Sequence, residues 1–199
     1  MSSPGCLDLF IGPMFSGKTT KLIEIYNRCV EENVNVVAIN YAADTRYHNT
    51  LLSTHDKQMI PCIQCMKLEE VVRTDHVMNS DVVLINEGQF FPDIHDMVVM
   101  LVETYKKHVV VCGLDGDFKR IKFGKLCDLI PFCDTITKLQ AVCECGQPSI
   151  FSHRTSTETE QVLIGSSNYK PLCRTCYRNA NANANANICS ESANLSFSA

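Results

Sequence analysis

The chain has 199 residues, 45% of them apolar, and a net charge of −4, enough for one domain with a real core plus a small appendage. Its positive charge is spread out with no basic block, which argues against a nucleic-acid partner. The first residues lack a basic, apolar leader and no run approaches the ~18 apolar residues of a membrane span, so the twelve cysteines are expected as thiols or metal ligands in a cytoplasmic protein.

In chain order, Leu7 to Ile11 predicts a short buried strand running into Gly12-Pro13-Met14-Phe15-Ser16-Gly17-Lys18-Thr19, the full G-x-x-x-x-G-K-[ST] pattern. Such a loop turns successive backbone N–H groups around an anion, adds a lysine for the outer phosphates and offers a hydroxyl to Mg²⁺. From Lys18 a helix is expected, with Leu22, Ile25, Tyr26 and Cys29 on one face. Val34 to Ile39 predicts a strand, and the polar, aperiodic stretch from Tyr41 to Gln58 a mobile loop beside the nucleotide. Leu68 to Met78 predicts a short helix, Asp81 to Ile85 a strand, Pro92 to Lys107 a helix and Val109 to Cys112 a strand. In the helix from Pro92, a proline opens the first turn, acids come early and lysines late, and Ile94, Met97, Val98, Leu101, Val102 and Tyr105 form one stripe. The alternation predicts an α/β fold, a P-loop NTPase-type parallel sheet flanked by helices.

The strand through Ile85 ends in Asn86-Glu87-Gly88-Gln89. In a P-loop fold the strand neighbouring the loop delivers an acid to the Mg²⁺ shell at this point. Asn86 is neutral, and Glu87 is a carboxylate able to accept the proton of a hydroxyl attacking a γ-phosphate; the plainer alternative is a solvated or turn-capping glutamate. The next strand ends in Gly113-Leu114-Asp115-Gly116-Asp117-Phe118. Its two aspartates read as turn residues, while Leu114, Phe118 and Phe123 suit either a flat base or the core.

From Lys138 a small cysteine-punctuated module is expected. Cys143-Glu144-Cys145 and Cys173-Arg174-Thr175-Cys176 predict a structural Zn²⁺, since paired thiolates reach one tetrahedral ion and a module with little core needs a staple. The first pair is one residue short of C-x-x-C, which leaves buried thiols as the alternative. Cys62 and Cys65 have no second pair nearby and are read as packing residues. After Tyr177 come Asn-Ala repeats and a serine-rich end, too poor in large apolar groups to bury anything. The expected division is 1–137, an ATP-binding α/β domain; 138–178, a zinc-binding module; and 179–199, a disordered tail.

With GPMFSGKT at Gly12–Thr19, Asp44-Thr45-Arg46-Tyr47, EGQFFPD at Glu87–Asp93, Leu114-Asp115-Gly116 with Phe118, and the late cysteine pairs in this order, the chain resembles the type II thymidine kinases over about residues 5 to 177. The resemblance implies transfer of the ATP γ-phosphate to the 5′-hydroxyl of thymidine, giving dTMP and ADP, in a homotetramer inhibited by dTTP; the charge and the lack of a leader or span predict no nucleic-acid or membrane partner. It makes Glu87 the catalytic base and Arg46 a residue beside the transferred phosphate. Gly12, Pro13, Met14, Phe15, Ser16, Gly17, Lys18, Asp44, Asn86 and Gln89 would attend ATP, and Thr19 would ligate Mg²⁺. Leu114, Phe118 and Phe123 would line the base pocket, with Thr157 and Tyr169 contributing from a lasso over about Ser156 to Tyr169. Cys143, Cys145, Cys173 and Cys176 would hold Zn²⁺. Two departures stand out: the family usually has aspartate at the position of Asn86, and the Cys143–Cys145 knuckle is short. The competing reading is a nucleotide-binding regulatory protein whose turnover is impaired by Asn86. A GTPase lacks its N-K-x-D motif here, and a zinc-ribbon nucleic-acid adaptor is disfavoured by the acidic charge.

Overall fold

The computed structural model describes residues 4–42, 51–53, 58–163, 165 and 167–182. Its centre is a parallel sheet of six strands, β1 (Cys6–Ile11), β2 (Val36–Tyr41), β5 (Ile63–Cys65), β6 (Val82–Ile85), β7 (His108–Gly113) and β8 (Thr135–Lys138), in the order β5-β2-β6-β7-β1-β8. Between β2 and β5 the short strands β3 (Leu51–Ser53) and β4 (Met59–Pro61) pair antiparallel. Helix α1 (Lys18–Glu31) packs on one face, and α3 (Ile94–Val99), continued by the π-helical Met100–Thr104, on the other.

Period-two alternation sorts the strands between these faces. Leu7, Leu9, Ile11, Val83, Ile85, Val109 and Val111 join Ile94, Val98 and Leu101 in one buried cluster. Val82, Leu84, Val110 and Cys112 join Leu22 and Ile23 in the other. The stripe expected from Pro92 onward is the one found: Ile94, Val98, Leu101 and Val102 are buried, and Met97 and Tyr105 pack against them.

Some elements differ from their sequence expectation for visible reasons. β2 starts at Val36 rather than Val34 because Asn33 turns left-handed (φ 56°) and the Val34 N–H closes the end of α1 on Cys29 O. The helix expected over Leu68 to Met78 is two short pieces, a 3₁₀ turn Leu68–Glu70 and α2 (Asp75–Met78). Thr74 breaks it: its hydroxyl donates to Val71 O at 2.7 Å and its backbone is extended. The 3₁₀ turn is instead held from outside, with the Leu68 and Glu69 N–H groups donating to the Asp93 carboxylate at 3.1 and 2.8 Å. The strand serving the metal site is expected beside the loop strand β1, but β6 is separated from it by β7.

Past β8 come two small antiparallel ladders, β9 (Ala141–Val142) with β10 (Pro148–Ser149) and β11 (Phe151–Arg154) with β12 (Tyr169–Leu172), then a helix α4 over 174–182. They share an apolar cluster of Cys143, Leu172, Cys173 and Tyr177. Residues 179–182 of the Asn-Ala repeat continue α4, with Asn181 Nδ2 donating to Tyr177 O at 2.8 Å; the rest of the repeat lies outside the described residues. No described helix is long and apolar enough to cross a membrane.

Candidate active site

β1, β6 and β7 are parallel, so their C-terminal ends open on one edge of the sheet, where α/β proteins gather ligands. The phosphate loop leaves β1 there. Gly17, left-handed at φ 79°, turns it into α1, Ser16 Oγ donates to Pro13 O at 2.8 Å, and Lys18 Nζ donates to Pro13 O at 2.6 Å. The Met14 N–H donates to Ser152 Oγ on β11 at 2.9 Å, so this loop amide ties the phosphate loop to the small module. Gly12 and Pro13 are buried beneath the loop, while Met14 to Thr19 face a cleft of about 1070 Å³.

Although β7 intervenes, Asn86 reaches the loop because α1 lies across β7, with Cys112 Sγ on Lys18 O at 3.5 Å. Asn86 is 3% exposed. Its Oδ1 accepts from the Thr19 hydroxyl at 3.5 Å and its Nδ2 donates to Asn40 Oδ1 at 2.9 Å; Asn40 Nδ2 in turn donates to Gln64 Oε1 at 3.2 Å. A neutral relay therefore fills the place where an aspartate was expected. An amide oxygen suits a hard cation or its water without adding charge.

Glu87 is the second residue past β6, after Asn86, and is left-handed (φ 55°, ψ 41°), a conformation that costs a non-glycine residue about 1 kcal/mol or more and clusters at functional sites. It swings the carboxylate into the cleft. Gln89 Nε2 donates to Glu87 Oε2 at 2.6 Å while Gln89 Oε1 accepts the Leu114 N–H at 2.9 Å, so the buried amide carries the end of β7 onto the carboxylate. Gly113 leaves space for it: a Cβ there would lie 2.5 Å from Gln89 Oε1.

The far wall is aromatic and apolar. Leu114, Phe118, Phe123 and Tyr169 line the cleft, together with Tyr41 stacked on Phe90 at 5.2 Å and Phe90 edge-on to Phe123 at 5.4 Å. Thr157 is exposed and off the cleft wall. Asp44 and Arg46 lie outside the described residues, as does most of the loop expected between Tyr41 and Gln58. Asp117 is the turn residue its sequence suggested, its Oδ1 accepting the N–H groups of Lys119 and Ile121 at 2.9 and 2.8 Å. Gln161, Arg154 and Asn40 were not foreseen. Their partners are dozens of residues away or reside in an irregular loop, so no local spacing marks them.

Cys143, Cys145, Cys173 and Cys176 converge, with all four sulfurs within 4.8 Å of one another and Cys145 Sγ 3.7 Å from Cys173 Sγ. The short knuckle does not prevent this, because β9 and β10 turn the first pair back toward the start of α4. Backbone N–H groups of Cys145 and Cys173 pull the Cys143 thiol down to about 6, and the N–H of Cys176 lowers Cys173. Cys176, facing the other sulfurs, is pushed up to about 12. Four soft donors at this spacing, two of them shifted toward the thiolate by backbone N–H groups, fit one tetrahedral zinc ion. Cys62 and Cys65 are pushed by burial to about 11 and 12 and are inert packing thiols.

A phosphate loop facing an aromatic wall across one cleft, with a carboxylate between them, defines a P-loop α/β nucleotide-binding protein with room for a second ligand. The family model described as thymidine kinase matches residues 5–177, and the chain belongs to the thymidine kinase family. It is 41% identical over 177 residues to a thymidine kinase of Raccoon poxvirus, covering 88% of this chain and 98% of the relative. A thymidine kinase of Oryza sativa subsp. japonica is 40% identical over 182 residues, covering 88% and 67%. A cytosolic thymidine kinase of Gallus gallus is 37% identical over 175 residues, covering 87% and 77%.

Proposed function

We propose that this protein transfers the γ-phosphate of ATP to the 5′-hydroxyl of thymidine, giving dTMP and ADP for DNA synthesis. Family membership supports the substrate pair. The observation that carries the reading is that Glu87, the phosphate loop and the aromatic residues line a single cleft. The loop N–H groups and Lys18 hold the phosphates, with charge-assisted bonds that strengthen as the transferred group loosens. Glu87 accepts the 5′-hydroxyl proton as that oxygen bonds to the γ-phosphorus, and the bond to the β-phosphate oxygen breaks with its electron pair leaving on ADP. Gln89 fixes the direction of the Glu87 carboxylate. Thr19, Asn86 and Asp44 would hold Mg²⁺, which neutralises phosphate charge when bound. Arg46 would stabilise the transferred phosphoryl group, and Phe118 with Tyr169 would enclose the thymine ring.

dTTP unites a thymine with a triphosphate, and a cleft that takes both ends supports its expected action as inhibitor. The exposed Ile130, Phe132 and Ile136 on and before the edge strand β8 support assembly of several chains into the expected homotetramer. The cytosolic label of the Gallus gallus relative supports a cytoplasmic location.

The test is thymidine-dependent ADP release with Mg²⁺, run beside deoxycytidine and Glu87→Gln. The variant is expected to lose at least 100-fold in kcat while binding thymidine at close to the original affinity. Equal turnover in variant and original, or no thymidine-dependent turnover by the original, removes the reading.

A further inference from the structure

Arg154, the last residue of β11, is 5% exposed, yet among the described residues no carboxylate pairs with it. A buried guanidinium without an ion pair is costly, so what it holds is informative. Its Nη1 donates to Glu158 O at 3.0 Å and to Glu160 O, and its Nη2 to Gln161 O at 3.2 Å and to the Tyr169 hydroxyl. Glu158, Glu160 and Gln161 are exposed, and water could satisfy carbonyls in such a segment. The fork is therefore not rescuing stranded acceptors. It sets the shape of the segment that returns from β11 to β12.

The same guanidinium lies against the aromatic wall, with Cζ 3.8 Å from the Phe118 ring centroid and 5.1 Å from that of Tyr169. Gln161 Nε2 reaches Asp117 Oδ2 at 2.9 Å, next to Phe118 in sequence, and the Tyr169 hydroxyl donates to Leu163 O at 3.3 Å. Phe118, Tyr169, Gln161 and Leu163 all line the cleft. One planar cation thus contacts the phenylalanine ring, the tyrosine and the main chain of the returning segment at once. Lysine has no planar fork with which to do this.

We propose that Arg154 is the positioning residue of the nucleoside pocket, holding Phe118, Tyr169 and the segment 158–163 in the one arrangement that encloses the pyrimidine ring. Its contacts are with Phe118, Tyr169 and the segment, none with the phosphate loop or Glu87, so it acts on nucleoside binding and not on the chemical step. The proposal rests on the thymidine kinase reading for the identity of the ligand, but not for the strap itself.

The test uses full-length, zinc-loaded protein carrying Arg154→Met or Arg154→Lys. Arg154→Met is expected to raise the thymidine KM and the calorimetric thymidine Kd at least tenfold, with kcat and the ATP KM within about twofold of the original. Arg154→Lys, which restores a donor without the planar fork, should fall between. Hydrogen exchange of amides in 157–163 should rise at least tenfold in Arg154→Met while zinc content and exchange in β1, β6 and β7 stay unchanged. An unchanged exchange rate over 157–163 overturns the proposal, as does an unchanged thymidine Kd in a variant whose original binds thymidine. Should the original bind no thymidine, the kinase reading and the nucleoside role fall together, and the exchange data still decide whether Arg154 holds the strap. If Arg154→Met does not fold, the Arg154→Lys comparison carries the same two readouts.

Discussion

Asn86 shows how one atom decides a site's requirements. Its Nδ2 must donate because Asn40 Oδ1 faces it at 2.9 Å, so the oxygen is left for Thr19 and the metal end of the cleft. In Asn86→Asp an oxygen would replace that donor. Asn40 must then turn its amide over and either lose its bond to Gln64 or make Gln64 turn as well at the expense of its contact with Cys62 Sγ at 3.4 Å, a loss of about 1 kcal/mol in the empty protein. With Mg²⁺ the balance reverses, since the added charge lies where the cation binds. The expected outcome is a lower urea midpoint without nucleotide and a Mg²⁺ half-saturation for turnover several-fold below the original, measured by magnesium titration at fixed ATP. A Mg²⁺ dependence identical to the original would mean that Asn86 does not serve the cation. At this scale the sequence is legible where chemistry is packed into consecutive residues, as in the phosphate loop and Asn86-Glu87-Gly88-Gln89. It is not legible where a role depends on a distant partner: nothing local to Asn40 announces Asn86, and nothing near Arg154 announces Phe118.

Among the elements, long apolar runs could be read and short polar ones could not. β6 and β7 are buried almost throughout, and their runs of valine identify them as inner parallel strands. β8 reads TITK with every residue exposed; it is a strand only because β1 offers it an edge, and propensity cannot foresee that. β3, β4 and β5 have three residues each, too few to display a period. The cysteine pairs, by contrast, announced a staple, and the structure shows why one is needed. Among the described residues, only Cys143, Leu172, Cys173 and Tyr177 are buried in the small module's own cluster, with Phe151, Cys176 and Ala180 partly buried against it, too few to offset the entropy of ordering four short strands and a helix. Removing zinc with a chelator under reducing conditions should therefore melt β9 to α4 locally, with proteolytic cuts confined to about 141–182 and exchange protection of the central sheet retained. Because the Tyr177 hydroxyl donates to Phe118 O, thymidine affinity should fall together with zinc content while ATP affinity holds. Cuts spread through β1 to β7 would show that the ion supports the whole fold, and no new cuts would show that it supports neither.

For the whole molecule, the strand order is the step that composition and periodicity leave open. Alternation foretold a parallel sheet with helices on both faces, but β7 sits between β1 and β6, and the site closes only because α1 leans over it. That places Cys112, at the end of β7, beneath the first turn of α1 at 0% exposure. Burial pushes its thiol up to about 12, against an ordinary 9.0, and the nearby Glu87 adds to the rise while Lys18 opposes it. The unfolded thiol loses its proton near pH 9 whereas the folded one keeps it, so above pH 9 the folded state holds more protons. By linkage, stability falls as pH rises from about 9 toward 12, with a slope of about 1.4 kcal/mol per pH unit from this group alone. Cys62 and Cys65, raised by burial to about 11 and 12, act in the same direction. Urea midpoints followed from pH 8 to 10.5 in reductant should drop, with roughly 2 kcal/mol of the loss at pH 10.5 belonging to Cys112. Cys112→Ala removes the titrating group at the cost of a small cavity, so it should begin less stable at pH 8 and decline less steeply. The two curves should draw together at alkaline pH, and parallel curves would place the alkaline loss elsewhere in the molecule.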